Sequence, residues 1–119
     1  MWITKEMIEE STHIIFIFGD NLLQRGLGGQ AKVCRPFVNK GKALGIPTKR
    51  KPTMYADAFF SDRDDEIRAV RWAIRTIISK YDGGYTIIFM PNIGRGYAKL
   101  PEKSPRIYKL ISNFIKTFT

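Results

Sequence analysis

Apolar positions fall along this chain in two spacings. His13 to Phe18, "HIIFIF", is apolar at every position after the histidine, which predicts a strand buried on both faces and ending at Gly19. Tyr85 to Pro91, "YTIIFMP", repeats the pattern behind the turn signal "DGG", and Lys42 to Pro47, "KALGIP", is a third, weaker strand. The three are expected as inner strands of one sheet. Between the last two, Ile67, Val70, Ile74, Ile77, Ile78 and Tyr81 recur at helical spacing, behind a cap at Ser61 or Asp62 and the acidic Asp64, Asp65 and Glu66. Arg68, Arg71 and Arg75 take another face of that helix. A final helix has Ser104 as its cap and Pro105 in first position, followed by Ile107, Leu110, Ile111, Phe114, Ile115 and Phe118. Gly28 to Arg35 fits a shorter helix, kinked or ended near Pro36. At the N-terminus "WIT" suits an edge strand and "KEMIEE" a single helical turn.

Strands alternating with helices predict a single α/β domain over residues 1–119: a compact three-layer fold, its mostly parallel sheet flanked by helices on both faces. In such folds ligands sit beyond the carboxyl ends of the strands.

Composition narrows the class. With 119 residues and 44% hydrophobic positions the chain can bury a core without staples. Cys34 is the single cysteine and is expected as a buried thiol. With His13 the only histidine, no metal-ligand spacing exists, so neither metal nor cofactor is expected. His13, Trp2 and Trp72 read as packing residues. The longest apolar run, Ile14 to Phe18, is too short for a bilayer and the first residues lack signal-peptide order, so a cytoplasmic protein without a membrane partner is expected. Twenty Lys and Arg against eleven Asp and Glu give +9, which favours nucleic acid, nucleotides or acidic surfaces unless the positives form a solvated face.

Candidate chemistry gathers in two glycine-rich stretches at strand ends. Gly26, Gly28 and Gly29 follow the first strand, and Gly94 and Gly96 follow the last. Glycines let backbone N–H groups approach an anion, and a helix start adds unpaired donors, so a diphosphate between the two loops is the expected ligand. Asp20 and Asn21, at the strand exit, either bond the hydroxyl or amide groups of that ligand or close an Asx-turn on their own backbone. Neither a P-loop nor a dinucleotide fingerprint is present, because "GLGGQA" has no Gly-Lys-Ser/Thr ending and carries Ala31 where the fingerprint needs its last glycine. "GIPTKRKP", Gly45 to Pro52, is expected to aim Thr48 and Lys49 into the same cleft, leaving Arg50 and Lys51 for solvent or a longer anionic partner. Arg95 suits bidentate phosphate recognition. Tyr55, Phe59 and Phe60 either stack on a base or close the core.

The stretches "IIFIFGDN…GLGGQA" and "IIFMPNIGRGYAKL" resemble the two ligand loops of macrodomains: a strand ending in asparagine before a glycine run, and a strand ending in proline before I-G-x-G. The whole chain is also similar to small, mostly uncharacterised bacterial and phage proteins built around "FGDN", "GGQA" and "GIPTK". The macrodomain resemblance implies ADP-ribose, free or attached to a macromolecule, as ligand. Asn21 then meets the distal ribose; Gly28, Gly29 and Gln30 line the first ribose-diphosphate loop; Ile93, Gly94, Arg95, Gly96 and Tyr97 line the second. Three departures stand out. No aspartate turn for the adenine precedes Ile14, Ala98 stands where one hydrolase branch has aspartate, and Gln30 and Ala31 replace the glutamate pair of another. If an ADP-ribosyl linkage is hydrolysed, Asp20 is the acid or base by placement, with Lys49 or Arg35 stabilising phosphate charge. The alternative class is a basic RNA- or DNA-binding module without catalysis, which explains the charge and "KRK" but not the paired glycine loops.

Overall fold

An unbroken apolar run belongs where both faces of a strand are covered, and the computed structural model, which describes residues 3–118, puts it there. Strand β1 (Ile14–Asn21) is the centre of a three-stranded parallel sheet, between β2 (Ala43–Lys49) and β3 (Thr86–Phe89). Ile15, Phe16, Ile17 and Phe18 are all buried. Only β1 is an inner strand; β2 and β3 are edges among the described residues, which corrects the expectation of three inner strands. The short β3 is accordingly half-buried rather than covered on both faces. Pro47, which has no N–H to donate, is tolerated because β2 is an edge. β1 also runs past the expected end at Gly19, so that Asp20 and Asn21 belong to the ladder as well. Between Asp20 and Asn21 the register slips: Asp20 faces Pro47 and Asn21 faces Lys49, leaving Thr48 as the extra residue of a bulge.

The β1–β2 connection steps one way along the sheet and the β2–β3 connection steps back across β1. With both crossovers right-handed, their helices lie on opposite faces. Helix α1 (Lys5–Glu10), N-capped by the Thr4 hydroxyl, contacts α2 (Ala31–Cys34), which packs on β1. Helix α3 (Asp64–Asp82) packs on β2 and β3 and touches α5 (Pro105–Thr117), which follows the single-turn α4 (Leu100–Lys103). The result is a compact mixed α/β fold with a radius of gyration of 13.4 Å. Val70 and Ile77 of α3 and Ile107 and Ile111 of α5 are buried against the sheet, each contributing about 1.5–3 kcal/mol relative to exposure. Ile78 and Tyr81, expected in the same stripe, are exposed. Among the described residues no helix is long and apolar enough to cross a membrane.

Local signals were reassigned by tertiary contacts. Neither Ser61 nor Asp62 caps α3; its N-cap is Arg63, whose N–H donates to the Glu66 carboxylate at 3.0 Å, as does that of Ser61 at 2.8 Å. Asp62 instead caps α5, accepting from the Ile107 N–H at 2.9 Å, the Arg106 N–H at 3.1 Å and the Ser104 hydroxyl at 2.6 Å. Ser104 holds the N-cap position by sequence, but its hydroxyl is spent on Asp62. The helix expected from Gly28 begins only at Ala31, and Pro36 lies inside a 3₁₀ turn (Arg35–Phe37) that continues it. Ile3 and Thr4 form no strand, and Trp2 lies outside the described residues.

Candidate functional site

β1 sits where the chain's two crossovers part, so the loop after β1 leads to one face of the sheet and the loop after β3 to the other. A crevice opens between their carboxyl ends for that topological reason. It is a cleft of about 560 Å³, a size suited to a small-molecule ligand. Its walls are the 25–31 loop on one side, the 91–98 loop on the other, and the ends of β1 and β2 with Pro52, Thr53 and Met54. The two glycine loops face each other: a Cβ on Gly29 would lie 3.6 Å from the Tyr97 ring. Asp20, Asn21, Gly26, Gly28, Gly29, Gln30, Arg35, Thr48, Lys49, Gly94, Gly96 and Tyr97 all line it. Ile93 and Arg95 do not. Ile93 is 5% exposed and its side chain belongs to the core, whereas Arg95 is exposed outside the cleft.

Beneath the first loop lies an ion pair. Arg35 Nη2 donates to Asp20 Oδ1 at 2.5 Å, with the side chains 18% and 8% exposed. The same guanidinium donates to the carbonyls of Gly26 at 2.8 Å and Arg25 at 3.3 Å. Asp20 also accepts from the Asn21 N–H at 2.8 Å. Space for this carboxylate comes from Gly45 on β2, where a Cβ would stand 2.6 Å from Asp20 Oδ2. Asp20 and Arg35, read from sequence as acid–base and phosphate groups, are thus engaged with each other and with the loop above them. The helix dipole cannot supply the cradle expected at the 28–35 segment, since α2 is a single turn.

Asn21 and Gln30 are similarly committed. The Asn21 side chain accepts from the Leu23 N–H at 3.0 Å and donates to the Arg25 carbonyl at 2.8 Å, forming an Asx-turn. Gln30 Oε1 accepts from the Gly19 N–H at 2.9 Å while its Nε2 donates to the Pro91 carbonyl, so this one side chain ties the end of β1 to the end of β3. The bulged Thr48 hydroxyl donates to the Asp20 carbonyl at 3.1 Å.

What remains available to a ligand is backbone, the exposed Arg25 side chain at the rim and the buried cation of Lys49. Among the described residues the N–H groups of Gly26 through Gln30 have no partner within the protein, nor do those of Gly94, Gly96, Tyr97 and Ala98. Gly94 has φ +85°, and a Cβ there would lie 2.5 Å from Leu100 Cδ1, so the second loop demands glycine at that point. Lys49, 8% exposed, has no carboxylate within ion-pair distance among the described residues. Its ammonium donates to the Thr53 carbonyl, approaches Met54 Sδ at 3.5 Å and lies 4.9 Å from the Phe59 ring centroid. Burial lowers its pKa below the ordinary lysine value. A desolvated cation without a counter-ion, in a cleft also lined by unpaired N–H donors, favours an anionic ligand.

The other basic residues of "KRK" are occupied. Arg50 Nε donates to the fully buried Glu66 at 2.6 Å, and its Nη2 to both Asp65 oxygens at 2.7 Å. Lys51 pairs with Asp57 at 2.6 Å. Arg50 is not left for solvent or a longer anionic partner as expected, because Asp65 and Glu66 fold onto it, whereas Lys51 does face solvent, in a surface pair with the nearby Asp57. Phe60 is buried in the core, Phe59 lies between the ammonium groups of Lys49 and Lys103, and Tyr55 is exposed. Cys34 is fully buried, and burial pushes its thiol up to about 11. His13 packs its ring beside Tyr85. Trp72, expected in packing, is 71% exposed.

Sequence reasoning overlooked Pro52, Thr53, Met54 and Leu27 as lining residues. The signal was weak but present: Pro52 directly follows the basic run that leaves β2, which turns the chain back over the strand end. Among the described residues no group of three or more His, Cys, Asp or Glu side chains is placed to hold a metal ion.

Comparison with known proteins gives a family but no activity. No curated protein and no solved structure matches the chain. Residues 1–114 match the model of a family of unknown function, DUF7831, and the chain belongs to that family.

Proposed function

We propose that this protein binds ADP-ribose or a related nucleotide diphosphate, free or attached to a macromolecule, in the cleft between its two glycine loops, in a macrodomain-like arrangement. The observation that carries this reading is the set of unpartnered N–H groups at 26–30, 94 and 96–98, on two loops that oppose each other across a cleft also lined by Lys49, whose ammonium has no carboxylate partner among the described residues. Neutral backbone donors suit a diphosphate, and Lys49 supplies a positive charge beside it. The exposed Leu27, Met54 and Tyr97 offer apolar surface for the base or sugar rings of the same ligand. Asp20, shared between Arg35 and the Asn21 N–H, fits an organising role better than an acid–base one, so binding rather than hydrolysis is the function proposed.

Isothermal titration with ADP-ribose, ADP, AMP and ribose 5-phosphate tests it. One saturable site is expected, tighter for the diphosphates than for the monophosphates. Lys49→Met, which keeps the apolar stem and removes the charge, is expected to weaken ADP-ribose at least tenfold, since a charged hydrogen bond is worth about 1.5–3 kcal/mol. No heat up to millimolar ADP-ribose, or a Lys49→Met variant binding like the parent, refutes the assignment.

A further inference from the structure

The geometry points to the solvent face of α3 as a docking strip for single-stranded nucleic acid, with Trp72 as the platform for one base and Arg68, Arg71 and Arg75 holding the phosphates around it. This site is separate from the cleft and does not depend on what the cleft binds. At 3.6 residues per turn the four side chains fall within about 100° of one another, opposite the buried Val70 and Ile77. All four are exposed. An exposed tryptophan forgoes the burial that makes this side chain valuable, and here it stands in the middle of three cations. None of the three arginines makes an ion pair among the described residues. Asp65, which borders the strip, faces Arg50 instead. Only Asp64 and Asp82 remain, at the two ends of the helix, so the middle of the strip is purely cationic.

Charge and shape together select the occupant. A net charge of +9 draws polyanions, and guanidinium groups grip phosphate bidentately in a way a flexible ammonium does not. A flat ring among cations is the arrangement used for stacking unpaired bases without sequence preference. A protein partner needs a contiguous apolar centre, and the strip holds one isolated ring. An anionic membrane needs an apolar helix face, which α3 has already buried on the sheet.

Fluorescence anisotropy with a labelled thymidine 12-mer between 50 and 200 mM NaCl tests this. Circular dichroism of each variant checks that exposed substitutions leave the fold intact. The parent is expected to bind with affinity falling steeply with salt. In Arg68→Gln/Arg71→Gln/Arg75→Gln the slope of log K against log salt is expected to become shallower by about two, since each phosphate contact contributes about 0.7 on a single strand. Trp72→Ala is expected to weaken binding about tenfold with the slope unchanged, and Trp72→Phe to recover part of it. ADP-ribose titrations of these variants should match the parent, which keeps the two sites distinguishable. No binding by the parent at 50 mM NaCl, parental affinity and slope in the triple variant, or polyglutamate or phosphatidylserine vesicles bound as tightly and without regard to Trp72 would each overturn the proposal.

Discussion

Asp20→Ala separates an organising carboxylate from a catalytic one. The substitution leaves Arg35, 18% exposed, without its counter-charge beneath the first glycine loop. Breaking a mostly buried pair from one side costs about 3–5 kcal/mol, because the remaining charge stays desolvated. Unfolding entropy of about 2.1 cal/mol/K per residue over 119 residues is about 0.25 kcal/mol/K, so the midpoint should drop by about 12–20 °C. Removing both charges in Asp20→Ala/Arg35→Met should restore more than half of that loss, since no isolated ion is then left behind. Full recovery is not expected, because Arg35 also holds the carbonyls of Gly26 and Arg25. Scanning calorimetry of the parent, both single variants and the double variant closes the cycle. An Asp20→Ala protein as stable as the parent refutes the organising role, and if that protein has also lost turnover of an ADP-ribosylated substrate, the carboxylate is catalytic after all.

Three further outcomes follow from particular contacts. Gly94→Ala forces a Cβ into Leu100 at a positive φ and should cost about 1–3 kcal/mol in urea unfolding, while weakening ADP-ribose by distorting the second loop. Burial alone would raise the Asp62 carboxyl, but the Ser104 hydroxyl and the Ile107 and Arg106 N–H groups outweigh it and hold the pKa below the ordinary aspartate value. Its folded pKa being depressed, the group's stabilisation is present above about pH 3.9 and lost as pH falls through the lower folded value, so parent and Asp62→Ala should differ in urea midpoint at pH 7 and converge in strong acid. Cys34, buried with its thiol pushed up to about 11, should resist a thiol reagent at pH 8 until the protein is unfolded; rapid labelling of the native state would show that the α2 region opens locally.

Much of the scaffold was legible because its signals are local. An unbroken apolar run from Ile14 to Phe18 leaves no face for water, and it became the central strand. The same logic located α3 and α5 from their stripes, and the glycines after β1 and β3 marked both walls of the cleft. What sequence could not convey were choices made through space. Asp62 is followed by a helix it does not cap, because Ser104 and the start of α5 come closer. Arg50 reads as one of three consecutive cations, but Asp65 and Glu66 fold back onto it, and the apparent basic tract is largely neutralised. Gln30 lines the cleft as its position after the glycines suggests; that it also ties β1 to β3 depends on two strand ends meeting across a sheet whose order no local pattern encodes. Trp72 reads as packing by residue type, although its position opposite Val70 and Ile77 on the helical wheel places it towards solvent.

The most direct measurement of the central claim is an amide-resolved NMR titration of the isotope-labelled protein with ADP-ribose. The expected result is saturable shifts, with one common affinity, for the N–H resonances of Gly26–Gln30 together with Gly94, Gly96, Tyr97 and Ala98. Shifts confined to one loop, or none in either at millimolar ADP-ribose, would contradict a diphosphate held between the two.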